Sequence, residues 1–282
     1  KNSMEKKELC YQTYVAILKR ELVVAMGCTE PIALAYCAAK ARAVLGQIPD
    51  KVVVETSGNI IKNVKSVIVP NTNGEKGIES AVAIGIIAGD ENLELEVLSN
   101  VTEQQKKEFL EYKKTTKIQV KQAESDLLLD IIVKVYKGDS YAIVRIANAH
   151  SNVVYIEKDG DVLLDNGVVQ QVQEDIPDYN LLSVQGIYDF AQTVDIEDVK
   201  EILDRQIEYN SAIAEEGLKN NYGANIGSVL LETYGDDIRN RAKAKAAAGS
   251  DARMSGCELP VVINSGSGNQ GMTVSLPIIE YA

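Results

Sequence analysis

Leu127-Leu128-Leu129-Asp130-Ile131-Ile132-Val133-Lys134-Val135-Tyr136, the turn Lys137-Gly138-Asp139, and Tyr141-Ala142-Ile143-Val144-Arg145-Ile146-Ala147-Asn148 decide the fold. Two β-branched runs around a Gly-containing turn predict an antiparallel pair of strands. Further strands are expected over Thr116 to Val120 and Val153 to Glu157, the second followed by the turn Lys158-Asp159-Gly160. A charged amphipathic helix is expected over Glu103 to Tyr112. Together these elements predict a small α+β lobe over residues 96–176.

Outward from that lobe the apolar period changes from two to that of a helix. Leu9, Thr13, Ala16, Ile17, Val23 and Val24 predict a helix over 8–25, and Thr29 to Leu45 a second, with Thr29 as N-cap and Gly46 as stop. The small residues Ala33, Ala35, Ala38 and Ala39 let another helix come close to it. Lys51 to Glu55 and Val64 to Val69, around Ser57-Gly58-Asn59, read as a hairpin-like pair, and Ile78 to Ala88 as an apolar helix. Beyond Pro177, helices are expected over Val184 to Gln192, Ile196 to Gly217, Ile226 to Tyr234 and Asp237 to Ala248, with a break at Gly217 to Gly227 that could reach a site. The expected fold is α+β: a mainly helical catalytic lobe from 1–95 and 177–282, with a smaller antiparallel-sheet lobe inserted. Leu276 to Ala282 is apolar and helix-like without a cap, so the polypeptide is expected to continue past it.

Composition narrows the function classes. The chain has 282 residues, 45% hydrophobic and 25% charged, with a formal net charge of -12. That balance is globular, and its sign argues against nucleic acid and anionic membranes as partners. No apolar run approaches the roughly 20 residues that span a bilayer, and Lys1 to Cys10 lacks the apolar segment of a signal peptide. Four cysteines do not make a disulfide scaffold in a chain of this size, which points to a reducing, cytoplasmic setting. The single histidine, His150, leaves little room for histidine-rich zinc sites or a Ser-His-Asp hydrolase.

The pattern Gly-Cys-x-x-Pro occurs twice, as Gly27-Cys28-Thr29-Glu30-Pro31 and Gly256-Cys257-Glu258-Leu259-Pro260. Proline suits the first turn of a helix, so each segment predicts a helix start with a thiol at its positive end, where thiolate is favoured. Thiolates bind soft metals and attack electrophiles; buried packing cysteines give the same pattern. Cys10 and Cys37 fall within helical patterns and read as packing residues.

Ser265-Gly266-Ser267-Gly268-Asn269-Gln270-Gly271 contains G-x-G-x-x-G after a strand-like run. A dinucleotide fold would need a complete βαβ unit after it, so an anion cradle suited to a carboxylate is the better reading. The loop Pro70-Asn71-Thr72-Asn73-Gly74-Glu75-Lys76-Gly77 offers donors and a cation but no nucleophile.

The blocks Gly27 to Ala35, Pro70 to Ile78 and Gly256 to Gly271, in this order along the chain, resemble the L-cysteine desulfidase family, which is related to the α chain of iron–sulfur L-serine dehydratases; the Pro-Asn-Thr-Asn-Gly block also resembles the Pro-Thr-Asn-Gly segment of the dehydratases. The resemblance implies a [4Fe–4S] cluster held by three cysteines with one iron open to substrate, and cleavage of L-cysteine to hydrogen sulfide, ammonia and pyruvate. By that resemblance Cys28 and Cys257 match two cluster ligands; the third has no counterpart here, so this chain is not expected to hold a normal cluster. It further implies that the substrate carboxylate rests in the cradle of Ser265, Gly266, Ser267, Gly268, Asn269 and Gln270, helped by Asn71, Thr72 and Asn73. Lys76 and His150 are the candidate catalytic bases. L-serine dehydration is the alternative reaction; a cluster-free scaffold or small-anion binder is the alternative outside enzymes. The expected partner is a small amino-acid substrate, and a homodimer stays open.

Overall fold

The structure is a computed structural model that describes residues 8–26, 28–168 and 176–282. Gly27, which opens the first Gly-Cys-x-x-Pro segment, lies outside them, as do Lys1 to Lys7. The order is α1 (Leu9–Glu21), β1 (Val24–Met26), α2 (Thr29–Leu45), β2 (Lys51–Thr56), α3 (Gly58–Val64), α4 (Ile78–Ala88) and α5 (Glu103–Thr115). Next come β3 (Lys117–Gln122), β4 (Asp130–Lys137), β5 (Ser140–Ala147), β6 (Val153–Lys158) and β7 (Asp161–Asp165). The chain then runs through α6 (Val184–Thr193), α7 (Ile196–Lys219), α8 (Ile226–Tyr234), α9 (Ile238–Met254), β8 (Pro260–Val262) and α10 (Gly268–Tyr281). This is an α+β fold.

The expected hairpin at the centre is present: β4 pairs antiparallel with β5, Asp130 opposite Ala147. The sheet is larger than the 96–176 segment, with order β3-β2-β4-β5-β6-β7, and it is mixed because β2 and β3 are parallel. Ile131, Val133 and Val135 of β4 and Ala142, Val144 and Ile146 of β5 are buried at alternate positions. Helix α2 packs on these two strands and on α4. The opposite sheet face carries charge: Lys134 pairs with Glu55, and Arg145 holds the fully buried Asp130 through Nε and Nη2 at 2.8 and 2.7 Å.

Helix α2 is buried nearly throughout, as its alanines predict. Gly85 of α4 lies so close that a Cβ there would stand 2.3 Å from the Ala35 carbonyl oxygen. The second helical layer is α7, α8, α9 and α10. The fully buried Asn210 of α7 ties it to the site: Nδ2 donates to Val262 O at 3.3 Å and to Ser275 Oγ at 3.0 Å, and Oδ1 accepts from Val262 N at 2.9 Å. β8 and α10, which flank the Gly-rich loop, are thereby fixed to one side chain.

Three local expectations are corrected. Lys51 to Val69 is not a hairpin: β2 takes β3 and β4 as partners, and Gly58–Val64 is a helix that buries Ile60 and Val64, four residues apart on one face. The helix expected over 8–25 stops at Glu21, and Val24–Met26 becomes a strand paired with β8. Pro260 starts that strand and not a helix, in keeping with the β-branched Val261-Val262-Ile263 behind it and with proline's tolerance at a strand's first residue. Among the described residues no helix is long and apolar enough to cross a membrane.

Candidate functional site

Two helix starts face one cavity. Cys28 is the N-cap of α2, with Pro31 in the first turn. Ser267 is the N-cap of α10, its Oγ accepting from Gln270 N at 3.2 Å. Between them lies a cavity of about 250 Å³ whose walls include Cys28, Glu30, Asn63, Arg253, Gly266 and Asn269. Helix N-termini carry partial positive charge, and here a full cation joins them.

That cation is Arg253, 3% exposed. Nη1 donates to Asn269 Oδ1 at 2.8 Å and Nη2 to Thr29 Oγ1 at 3.1 Å, so its guanidinium links the first turns of both helices. Burial lowers its pKa, and Cys28 and Glu30 oppose the shift. The Gly-rich motif makes this arrangement fit: a Cβ on Gly268 would stand 2.4 Å from Arg253 Nε, and one on Gly271 2.2 Å from Val262 O. The glycines of G-x-G-x-x-G thus admit a guanidinium and a strand, and not a pyrophosphate.

The thiol at the head of α2 is not the thiolate that its position predicts. Burial raises the Cys28 pKa to about 12, Arg253 offsetting part of this and Glu30 adding to it. Its Sγ donates to Glu30 Oε2 at 3.1 Å. Desolvation outweighs the helix dipole here. Burial also raises Cys257, which the Tyr222 hydroxyl partly offsets. Tyr222, from the predicted break after α7, donates to Glu216 Oε1 at 2.9 Å. Cys257 is absent from the cavity wall. Among the described residues no three His, Cys, Asp or Glu side chains converge on a metal position, so these residues alone do not supply the three-cysteine set that the resemblance implies.

His150 lines a neighbouring cavity, of about 680 Å³, that shares Gly266 with this one. A Cβ on Gly266 would lie 3.3 Å from its Cε1. Burial lowers the His150 pKa below 6.5; the Glu30 charge raises it and the Arg253 charge lowers it further. The imidazole is therefore neutral at pH 7 and has an unprotonated nitrogen. Lys76 lines a different cavity, of about 320 Å³, beside Glu79, Ser80 and Lys113. The side chains of the 70–77 loop hold that loop: Asn71 Nδ2 donates to Leu98 O at 2.6 Å and Thr72 Oγ1 to Val69 O at 2.6 Å. Asn71 and Asn73 adopt φ of 57° and 56°, which asparagine tolerates. Of the cradle residues, Gly266, Ser267 and Asn269 line the Arg253 cavity, Ser265 lines an adjoining one, and Gln270 is exposed. Cys37 is a packing residue, its thiol donating to Val144 O at 3.3 Å.

Sequence reasoning missed Arg253, Glu30 and Asn63. The predicted helix ended at Ala248, whereas α9 runs to Met254 and carries Arg253 to the site. Gly249 is a packing glycine: a Cβ there would meet Met272 Sδ at 2.7 Å.

The serine dehydratase alpha chain family model matches residues 92–282. A UPF0597 protein of Desulfitobacterium hafniense is 60% identical over 279 residues, 99% of this chain and 65% of that protein. UPF0597 proteins of Lachnoclostridium phytofermentans and Fusobacterium nucleatum are 55% and 49% identical, covering 96% and 94% of this chain and 65% and 64% of theirs. The chain thus spans about 65% of the length of these relatives. No solved structure matches it. With Arg253, Cys257 and the Gly-rich loop inside the matched 92–282 region, which is more than half of the sequence, the chain belongs to the serine dehydratase alpha chain family.

Proposed function

We propose that the protein is an ammonia-lyase that eliminates the β-substituent of a small amino acid, L-cysteine or L-serine. The products are pyruvate and ammonia, with hydrogen sulfide or water. The observation that carries this reading is the buried Arg253 at the meeting of two helix starts, in a cavity of about 250 Å³ beside a neutral imidazole. A substrate carboxylate there meets a fixed cation, the Ser267 hydroxyl and two positive helix ends, with little reorganisation. Glu30 supplies the opposite charge for the substrate ammonium. His150 removes the α-proton, the Cβ–S or Cβ–O bond breaks with its electron pair on the departing atom, and water converts the aminoacrylate to pyruvate and ammonia. The [4Fe–4S] cluster that the resemblance implies needs a third ligand besides Cys28 and Cys257, so the roles assigned are those of the chain's own acid–base and anion-binding groups.

Pyruvate release from L-cysteine and from L-serine by the full-length protein tests the reading and ranks the two substrates. No pyruvate from either, with L-alanine still bound, would leave a small-anion binder. His150→Gln is expected to lower kcat by about 100-fold, the usual contribution of a positioned base. The wild-type acid limb should lie below pH 6.5, because burial depresses the imidazole pKa and the base form is lost only as pH falls through that lowered value. The same sign holds for stability. The unfolded chain takes up this proton first, so the folded state loses stability as pH drops below 6.5. A pH–rate profile of His150→Gln that kept the wild-type acid limb would remove His150 from the role of base.

A further inference from the structure

We infer that this site also accepts amino acids whose β-sulfur carries a second amino-acid head, that is, thioethers and disulfides of cysteine. The inference rests on the lyase reading above and names a wider substrate class for it. Gly266 lines both the cavity that holds Arg253 and a second one, of about 680 Å³, on whose wall His150 also stands. Serine or cysteine fills only the smaller. The larger is polar where a second head would lie. Arg20 and Glu21, at the end of α1, stand side by side on its wall, with Asn148, Asn152 and Ser265 around them. An adjacent cation and carboxylate complement the carboxylate and ammonium of an amino-acid head. Glu21 is held in place by the Tyr179 hydroxyl, which donates to Oε1.

The residue the two cavities share is the one without a side chain to stand between them. Gly266 has φ of 76°, and a Cβ there would press on the His150 ring. In the proposed pose the thioether sulfur lies at Gly266, its first head on Arg253, its Cα–H towards His150 and its distal head towards Arg20 and Glu21. The reaction is the same elimination. His150 takes the α-proton, the Cβ–S pair stays on sulfur, and the leaving thiolate (a persulfide from a disulfide) is then protonated. For L-lanthionine the balance is lanthionine plus water giving cysteine, pyruvate and ammonia, with no oxidant or reductant.

The test compares pyruvate release by the full-length protein from L-cysteine, S-methyl-L-cysteine and L-lanthionine. S-methyl-L-cysteine has the same bond to break and no second head. The expected kcat/KM for L-lanthionine exceeds that for S-methyl-L-cysteine by about tenfold, the size of one well-placed charged contact. Arg20→Ala should abolish that advantage while leaving L-cysteine turnover within about twofold, since Arg20 is exposed and outside the smaller cavity. Equal rates for the thioethers, or an Arg20→Ala loss shared by all three substrates, would overturn the inference. Pyruvate from L-cysteine or L-serine but none from L-lanthionine overturns it alone; none from any of them overturns the lyase reading and this inference with it.

Discussion

Replacing Arg253 by alanine is expected to weaken binding of a small amino-acid carboxylate by about 100-fold, because truncating one partner of a desolvated charge pair costs about 2–5 kcal/mol. The guanidinium is 3% exposed and bonded to both Thr29 and Asn269, so no surface cation can take its place. Losing it also leaves those two side chains short of a partner, which should lower stability by about 1–3 kcal/mol. Arg253→Lys keeps a charge and loses the planar fork that reaches two helices at once. It should recover only part of the affinity. Titration with L-alanine, which has the amino-acid head and no leaving group, reads binding without turnover, and urea unfolding reads stability. Unchanged L-alanine affinity in Arg253→Ala would take the carboxylate out of this cavity.

Gly85→Ala is expected to cost about 3 kcal/mol, at the upper end for overpacking a core. The Cβ would meet backbone, the Ala35 carbonyl oxygen at 2.3 Å, and backbone cannot swing aside as a side-chain tip can. α2 and α4 would have to separate, and α2 begins at the Cys28 end of the site. Stability and L-alanine affinity should therefore fall together. Gly138→Ala is the control: that glycine has open space around it and positive φ, so it should cost only turn strain of about 1 kcal/mol. Equal unfolding midpoints for the two variants would contradict the close packing of α2 on α4.

The α2–α4 contact shows what sequence alone carries. Ala33, Ala35, Ala38 and Ala39 announce a helix that a neighbour can approach, and local pattern suffices because the approach depends only on side-chain size. The β4–β5 hairpin is legible for a similar reason, since period and turn are both local. β2 is different. Its β-branched run identifies a strand, but its partners are β3 and β4, more than fifty residues away, and nothing between residues 51 and 69 encodes that choice. At the site, Cys28, His150 and the Gly-rich loop could be named because their residue types are chemically unusual. Arg253 could not, since it lies past the predicted helix end at Ala248 and only the packing shows that Gly268 makes room for it. The state of the Cys28 thiol was equally hidden. The helix start argues for thiolate, and only the burial beside Glu30 reverses the sign.

The central claim is that the cavity between the starts of α2 and α10 holds an amino-acid carboxylate on Arg253. Isothermal titration of the protein with L-alanine and with L-alaninamide tests it most directly, because the two differ only in that carboxylate. The account predicts saturable binding of L-alanine and at least tenfold weaker binding of the amide, from the loss of one charge-assisted contact. Equal affinity for the two, or no binding of L-alanine, would contradict it.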